Sequence, residues 1–219
     1  MNRDGSGQTR LTRGAEAISP AWSPDGETIY FSRYVLKNDE RGDFVGYAWA
    51  IFRMRADGSE MRQLTHPQPA DHGTCHTSPA PSRDGRVITY ESIGDCDRGY
   101  DASIEAIDDS GREVSLAPLA VNAGFDPAWS PDGRFLAFAS VNESEASTGI
   151  KLASSDGSKA RRLYRGGPAS GPAWSPDGKW VAFSTDGKVW LVRRDGSGLR
   201  RVLKTGVWRS DPAWLPVIP

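Results

Sequence analysis

The chain has 219 residues, of which 24 are Gly and 15 Pro, so 18% of positions favour turns, where an average protein has about 12%. Its 8 Trp, 6 Tyr and 7 Phe exclude a disordered chain, two Cys exclude a disulfide-dense mini-domain, and no apolar run nears the roughly 20 residues of a membrane-spanning helix. Net charge is −1, which argues against a whole-molecule attraction to nucleic acid, although residues 1–157 hold 15 basic and 24 acidic side chains (−9) and residues 158–219 hold 12 and 4 (+8).

In chain order, Met1 to Gly7 leads into folded-looking sequence without the apolar stretch of an export signal. A turn mark, Asp4-Gly5-Ser6, precedes a short strand-like segment at about 7–12. Then comes Ser19-Pro20-Ala21-Trp22-Ser23-Pro24-Asp25-Gly26. The motif returns degraded as Ser78-Pro79-Ala80-Pro81-Ser82-Arg83-Asp84-Gly85, and again around Trp129 and Trp174. It closes truncated as Asp211-Pro212-Ala213-Trp214. The first prolines stand at 20, 79, 127, 172 and 212, giving spacings of 59, 48, 45 and 40. A second mark, Asp-Gly-Ser at 57–59, 156–158 and 195–197, with a weaker Ser110-Gly111, runs in phase with the first.

Each unit reads as four strands. Pro-Ala-Trp-Ser is strand A. Ser-Pro-Asp-Gly is a tight turn in which Pro presets φ and Gly takes the positive φ. A run rich in β-branched and aromatic residues, such as Thr28-Ile29-Tyr30-Phe31 or Trp180-Val181-Ala182-Phe183, is strand B. The Asp-Gly turn joins strand C to an outer strand D. Four-stranded units of 40-odd residues with a Trp on the first strand predict an all-β fold, a β-propeller. The expected blades are 18–65, 76–117, 125–164 and 170–204, with a partial fifth made from 210–219 and 1–12. A blade lacking its middle strands leaves unpaired edges, so self-association through that gap is expected.

The Pro-Ala-Trp-Ser-Pro-Asp-Gly copies, each followed by an aromatic strand and an Asp-Gly-Ser turn, resemble the TolB-type propeller repeat over nearly the whole chain. The resemblance implies a β-propeller in a bacterial, exported setting, periplasmic or extracellular. It implies no chemistry, because function sits in sites grafted on folds.

Variable loops concentrate on one face, where the D–A and B–C connections emerge. Blade 1 has a long B–C loop from Arg33 to Trp49; blade 2 has a D–A loop from His66 to Thr77 and a B–C loop from Ile93 to Asp101. Aromatics there (Tyr34, Phe44, Tyr47, Trp49 and Tyr100) are candidate contacts for a protein or peptide partner. All three histidines, His66, His72 and His76, lie in one loop beside Cys75, and Cys96 lies in the neighbouring loop. Three readings stay open: a disulfide between Cys75 and Cys96, a site for one divalent metal ion on the histidines, or ordinary loop residues. The metal reading would make the chain a lyase-like propeller enzyme. No G-x-S-x-G, H-E-x-x-H or phosphate-binding Gly motif is present, so a binding scaffold without cofactor is the expected function. Paired arginines at 161–162, 193–194 and 200–201 are expected on or beside outer strands, where charge deters edge pairing.

Overall fold

The computed structural model describes residues 4–14, 16–38, 41–67, 73–97, 102–116, 124–140, 148–156, 159–204 and 212–214. Regular structure among them is entirely β. Blade 1 comprises β1 (Ala17–Trp22), β2 (Thr28–Asn38), β3 (Phe44–Arg55) and β4 (Arg62–Gln63). Blade 2 comprises β5 (Thr74–Pro81), β6 (Ile88–Ile93) and β7 (Ser103–Ile107). Blade 3 is β8 (Gly124–Trp129), β9 (Phe135–Ser140), β10 (Gly149–Ser154) and β11 (Ala160–Tyr164). Blade 4 is β12 (Ser170–Trp174), β13 (Trp180–Thr185), β14 (Lys188–Arg193) and β15 (Arg200–Lys204). Within each blade the strands pair antiparallel in chain order.

The repeated motif folds the same way four times. In blade 1 the Ser23 hydroxyl donates to Asp25 Oδ1, the Gly26 amide to the Ser23 carbonyl (2.9 Å), and the Thr28 amide to Ser23 Oγ (2.9 Å). Ser82 with Asp84, Ser130 with Asp132 and Ser175 with Asp177 repeat the set. Most turn donors thus find an acceptor within the motif. These hydroxyls hold the Asp25, Asp84 and Asp177 carboxyls below the usual carboxylate range. The residue before each motif proline is left-handed: φ is 51° at Ser19, 53° at Ser78, 50° at Asp126 and 57° at Gly171. Strand pairing shifts register there, so each inner strand carries a bulge at the proline, which has no amide to donate.

Alternation along the strands gives each blade two apolar faces, and adjacent blades bury them against each other. Tyr30, Ile51, Leu64, Ile88, Tyr90 and Ile107 fill the seam between blades 1 and 2. Ile104, Leu136, Phe138 and Ala153 fill the next. Ile150, Leu152, Trp174, Val181, Phe183 and Val192 belong to the third. The motif tryptophans stitch these seams. Trp129 Nε1 donates to Thr89 Oγ1 (3.1 Å), Trp174 Nε1 to the Ala128 carbonyl (3.0 Å) and Trp214 Nε1 to the Ala173 carbonyl (3.0 Å).

Four features depart from the sequence-based expectation. The loop expected from Arg33 to Trp49 is instead strand: β2 and β3 stay paired from Thr28↔Arg55 to Asn38↔Phe44, because Tyr34, Tyr47 and Trp49 stack along the extension. Among the described residues blade 2 has no outer strand, only an Ile107↔Glu113 bridge and a Val114 amide bonded to the Ala106 carbonyl. Blades 1 and 2 share one seven-stranded sheet, since β3 outruns β4 and its free edge accepts β5 in parallel at Ala48↔Thr74 and Trp49↔Cys75. Finally, residues 7–12 form no strand; Leu11 packs against the outer apolar face of blade 1 beside Gly58. Unlike its buried copy Trp174, Trp22 is 58% exposed, with no described blade on its side.

Candidate functional site

The face carrying the B–C and D–A connections holds the candidate site. Its main projection is the β2–β3 hairpin. Tyr34 stacks on Tyr47 with ring centroids 5.6 Å apart, and Trp49 meets Tyr34 edge-on at 5.6 Å. These three expected contacts are thus brought together as one aromatic strip, each half-buried. Phe44 stands near the hairpin tip and is 60% exposed. Tyr100 lies outside the described residues. Leu36, 63% exposed on the same hairpin, was not singled out from sequence; its place opposite Tyr47 follows only from the strand register.

Blade 2 braces this hairpin. Cys75, at the start of β5, is bonded to Cys96 with their Cα atoms 5.5 Å apart. The Cys96 amide donates to the Gly73 carbonyl (3.3 Å). Next to it, Asp97 accepts a 2.5 Å hydrogen bond from the Tyr47 hydroxyl, and this bond pushes the phenol up to about 12. Gly73, with φ of 66°, lets the Tyr47 ring lie against the backbone: a Cβ there would fall 2.4 Å from the ring.

Below this brace opens a cavity of about 860 Å³ lined by residues of β1, β5, β8 and β12 among others. Trp49, Phe125 and the disulfide line its wall, and Glu91 and Asp126 bring carboxylates into it. Glu91 is 7% exposed and accepts from Thr77 Oγ1 (3.0 Å) and Ser78 Oγ (3.2 Å). Asp126 accepts from the Gly171 amide (3.0 Å), tying blade 3 to blade 4. Neither carboxylate was picked out from sequence; the strand pairing Thr77↔Glu91 is the signal that places Glu91 there.

The two described histidines stand apart. His66 is exposed after β4, and His72 lies outside the described residues. His76 is on β5, its ring 4.9 Å from that of Tyr90 and its Nδ1 buried without a hydrogen-bond partner. Burial pushes its imidazole below the ordinary histidine value, which Glu105 opposes in part. With Cys75 held in the disulfide, no three His, Cys, Asp or Glu side chains converge as metal ligands among the described residues.

A family model for the TolB β-propeller domain matches residues 17–218. An uncharacterized protein of Agrobacterium fabrum is 32% identical over 144 residues, covering 63% of this chain and 45% of its own length. Among solved structures, TolB from Acinetobacter baumannii superposes with a TM-score of 0.66 at 16% identity, covering 92% of this chain and 47% of that one. A structure assigned to TolB of Agrobacterium tumefaciens gives 0.57 at 23% identity, covering 85% and 80%. The chain thus spans under half the length of the A. fabrum relative and of the A. baumannii TolB chain. Repeated motif, stacked blades and family match agree: the chain belongs to the TolB β-propeller domain family.

Proposed function

We propose that this chain is a non-catalytic scaffold that binds a protein or peptide partner on the face carrying the β2–β3 hairpin. The observation that carries this reading is the braced aromatic strip. Tyr34, Tyr47 and Trp49 form a rigid platform, and Leu36 and Phe44 stand exposed beside it at 63% and 60%. Large apolar side chains held out to solvent on a paired hairpin require little backbone ordering on binding, which suits them as anchors. The bacterial exported setting implied by the family fits a surface braced by a disulfide.

Phe44→Asp and Leu36→Asp test this. Each variant should keep the folded spectrum of the wild type. Each should lose the species that wild-type protein, carrying a photo-crosslinker at residue 38, captures from a cell-envelope extract. Equal capture by wild type and both variants would refute the assignment of this face.

The docked Trp214 also supports a partial fifth blade begun at 212–214, with exposed Trp22 at the other end of the series. Self-association through that gap would appear as a mass that rises with concentration in light scattering; a concentration-independent monomer would refute it.

A further inference from the structure

The motif tryptophans make one contact three times. In each case the indole reaches back to the alanine of the preceding motif copy. Trp174 Nε1 donates to the Ala128 carbonyl (3.0 Å) and Trp214 Nε1 to the Ala173 carbonyl (3.0 Å). Trp129 Nε1 reaches the same station through one hydroxyl: it donates to Thr89 Oγ1 (3.1 Å), which donates to the Ala80 carbonyl (3.0 Å). The seam between blades 1 and 2 differs for a reason visible in the sequence. Pro81 stands where blade 2 would carry its tryptophan, and those two blades are joined through backbone instead, at Ala48↔Thr74 and Trp49↔Cys75.

One donor and one acceptor of this series are left over among the described residues. Trp22 ends β1 in the register of its copies: it pairs with Ile29 as Trp129 pairs with Leu136 and Trp174 with Val181. Its side chain therefore leaves the same side of its blade as theirs. It is 58% exposed, and no described acceptor meets its Nε1. At the other end of the series Ala213 is exposed, and no described donor reaches its carbonyl.

Within one chain each half is tied down elsewhere. β1 is held by its pairing with β2 and its packing on β5. Ala213 is held by its neighbour Trp214, which is seated on Ala173. Drawing the two together would pull one of them from its seat. A second copy presents the missing half on a surface already built. Because the halves lie at opposite ends of the series, the contact joins two different surfaces and runs head to tail.

We infer that Trp22 of one copy seats on the Ala213 carbonyl of a second copy, so that the seam repeated inside the chain continues between chains. The inference rests on the self-association reading above and names its contact. Association is reached with concentration; in a dilute unfolding series the copies are apart and Trp22 stays exposed.

The test mixes two preparations of the chain. One carries p-benzoyl-phenylalanine at position 22, which keeps an aromatic ring there; the other is wild type labelled with ¹⁵N. After irradiation, mass spectrometry of the digest should find the residue 22 peptide joined to the ¹⁵N-labelled peptide that holds Ala213. Light scattering across a concentration series gives the strength. Trp22→Ala, at an exposed position, should keep the wild-type circular dichroism and raise the association midpoint tenfold or more, as loss of an interface tryptophan does. Trp22→Phe loses only the donor and should raise it about fivefold. Ala213→Arg should block the other half of the contact to a similar extent. A mixture of Trp22→Ala and Ala213→Arg keeps one intact pair, so it should associate more tightly than either variant alone. A crosslink to Ala213 of the same chain only, a crosslink elsewhere, or a mixture no tighter than the single variants would overturn this contact while a mass that rises with concentration leaves self-association standing. A monomer at every concentration would overturn both.

Discussion

Truncating the motif tryptophans should separate one copy from another. Trp174 is 8% exposed, packs with Val181 and Phe183 across the blade 3–4 seam, and bonds the Ala128 carbonyl. Removing a buried indole typically costs about 3–5 kcal/mol, and the Ala128 carbonyl left unpaired adds about 1 kcal/mol. Trp174→Ala should therefore lose about 4–6 kcal/mol, much of the roughly 5–15 kcal/mol that a domain has. Trp174→Phe keeps most of the packing and loses only the donor, so about 1–2 kcal/mol is expected. Trp22 carries the same motif position but is 58% exposed. Less than half of its surface is removed from water, so Trp22→Ala should cost under about 1.5 kcal/mol. Urea denaturation followed by circular dichroism, with m-values compared to confirm a two-state reading, measures all three. Equal losses for Trp22→Ala and Trp174→Ala would show that Trp22 is covered in solution, and the seam argument would fail.

Three further outcomes are expected. Replacing both Cys75 and Cys96 by Ser opens a loop spanning a sequence separation of 21 and should cost about 3 kcal/mol; thiol titration of the denatured, unreduced protein should find no free thiol. His76, whose folded value lies below its ordinary 6.5, is protonated more readily in the unfolded chain, so its contribution is whole above about pH 6.5 and is lost as pH falls through the folded value. Stability measured at pH 7.5 and 5.5 should fall between the two in wild type and fall less in His76→Gln; an identical fall would remove His76 as the cause. Elemental analysis after gentle purification should find no stoichiometric divalent metal; zinc or manganese lost on His72→Ala would instead support the histidine-site reading.

The fold was legible because two short motifs encode their own local structure. Ser-Pro-Asp-Gly closes its hydrogen bonds within itself, so its copies announce a strand–turn–strand wherever they occur. The β2–β3 hairpin was less legible. Residues 33–49 mix charge with aromatics and look like a loop until Tyr34, Tyr47 and Trp49 are seen to share one face, which needs the register. The places of His66 and His76 needed the strand register for a related reason. Strand β5 turns His76 into the blade 1–2 seam against Tyr90, while His66 stays outside at the end of blade 1. Glu91 was invisible on the same ground, since only the Thr77↔Glu91 pairing within blade 2 turns its carboxylate into the cavity.

The parallel pairing of β3 with β5 has a mechanical consequence. Propeller blades are ordinarily coupled by side chains alone, so any two neighbours can slide or part without breaking main-chain hydrogen bonds. Here the first two repeats are welded through backbone at Ala48↔Thr74 and Trp49↔Cys75, with the disulfide beside the weld. Under strain, heat or partial denaturation, those repeats are expected to act as a single cooperative body, with yielding directed to the later seams, which packing, a few tryptophan and arginine contacts and the Asp126–Gly171 bond hold shut.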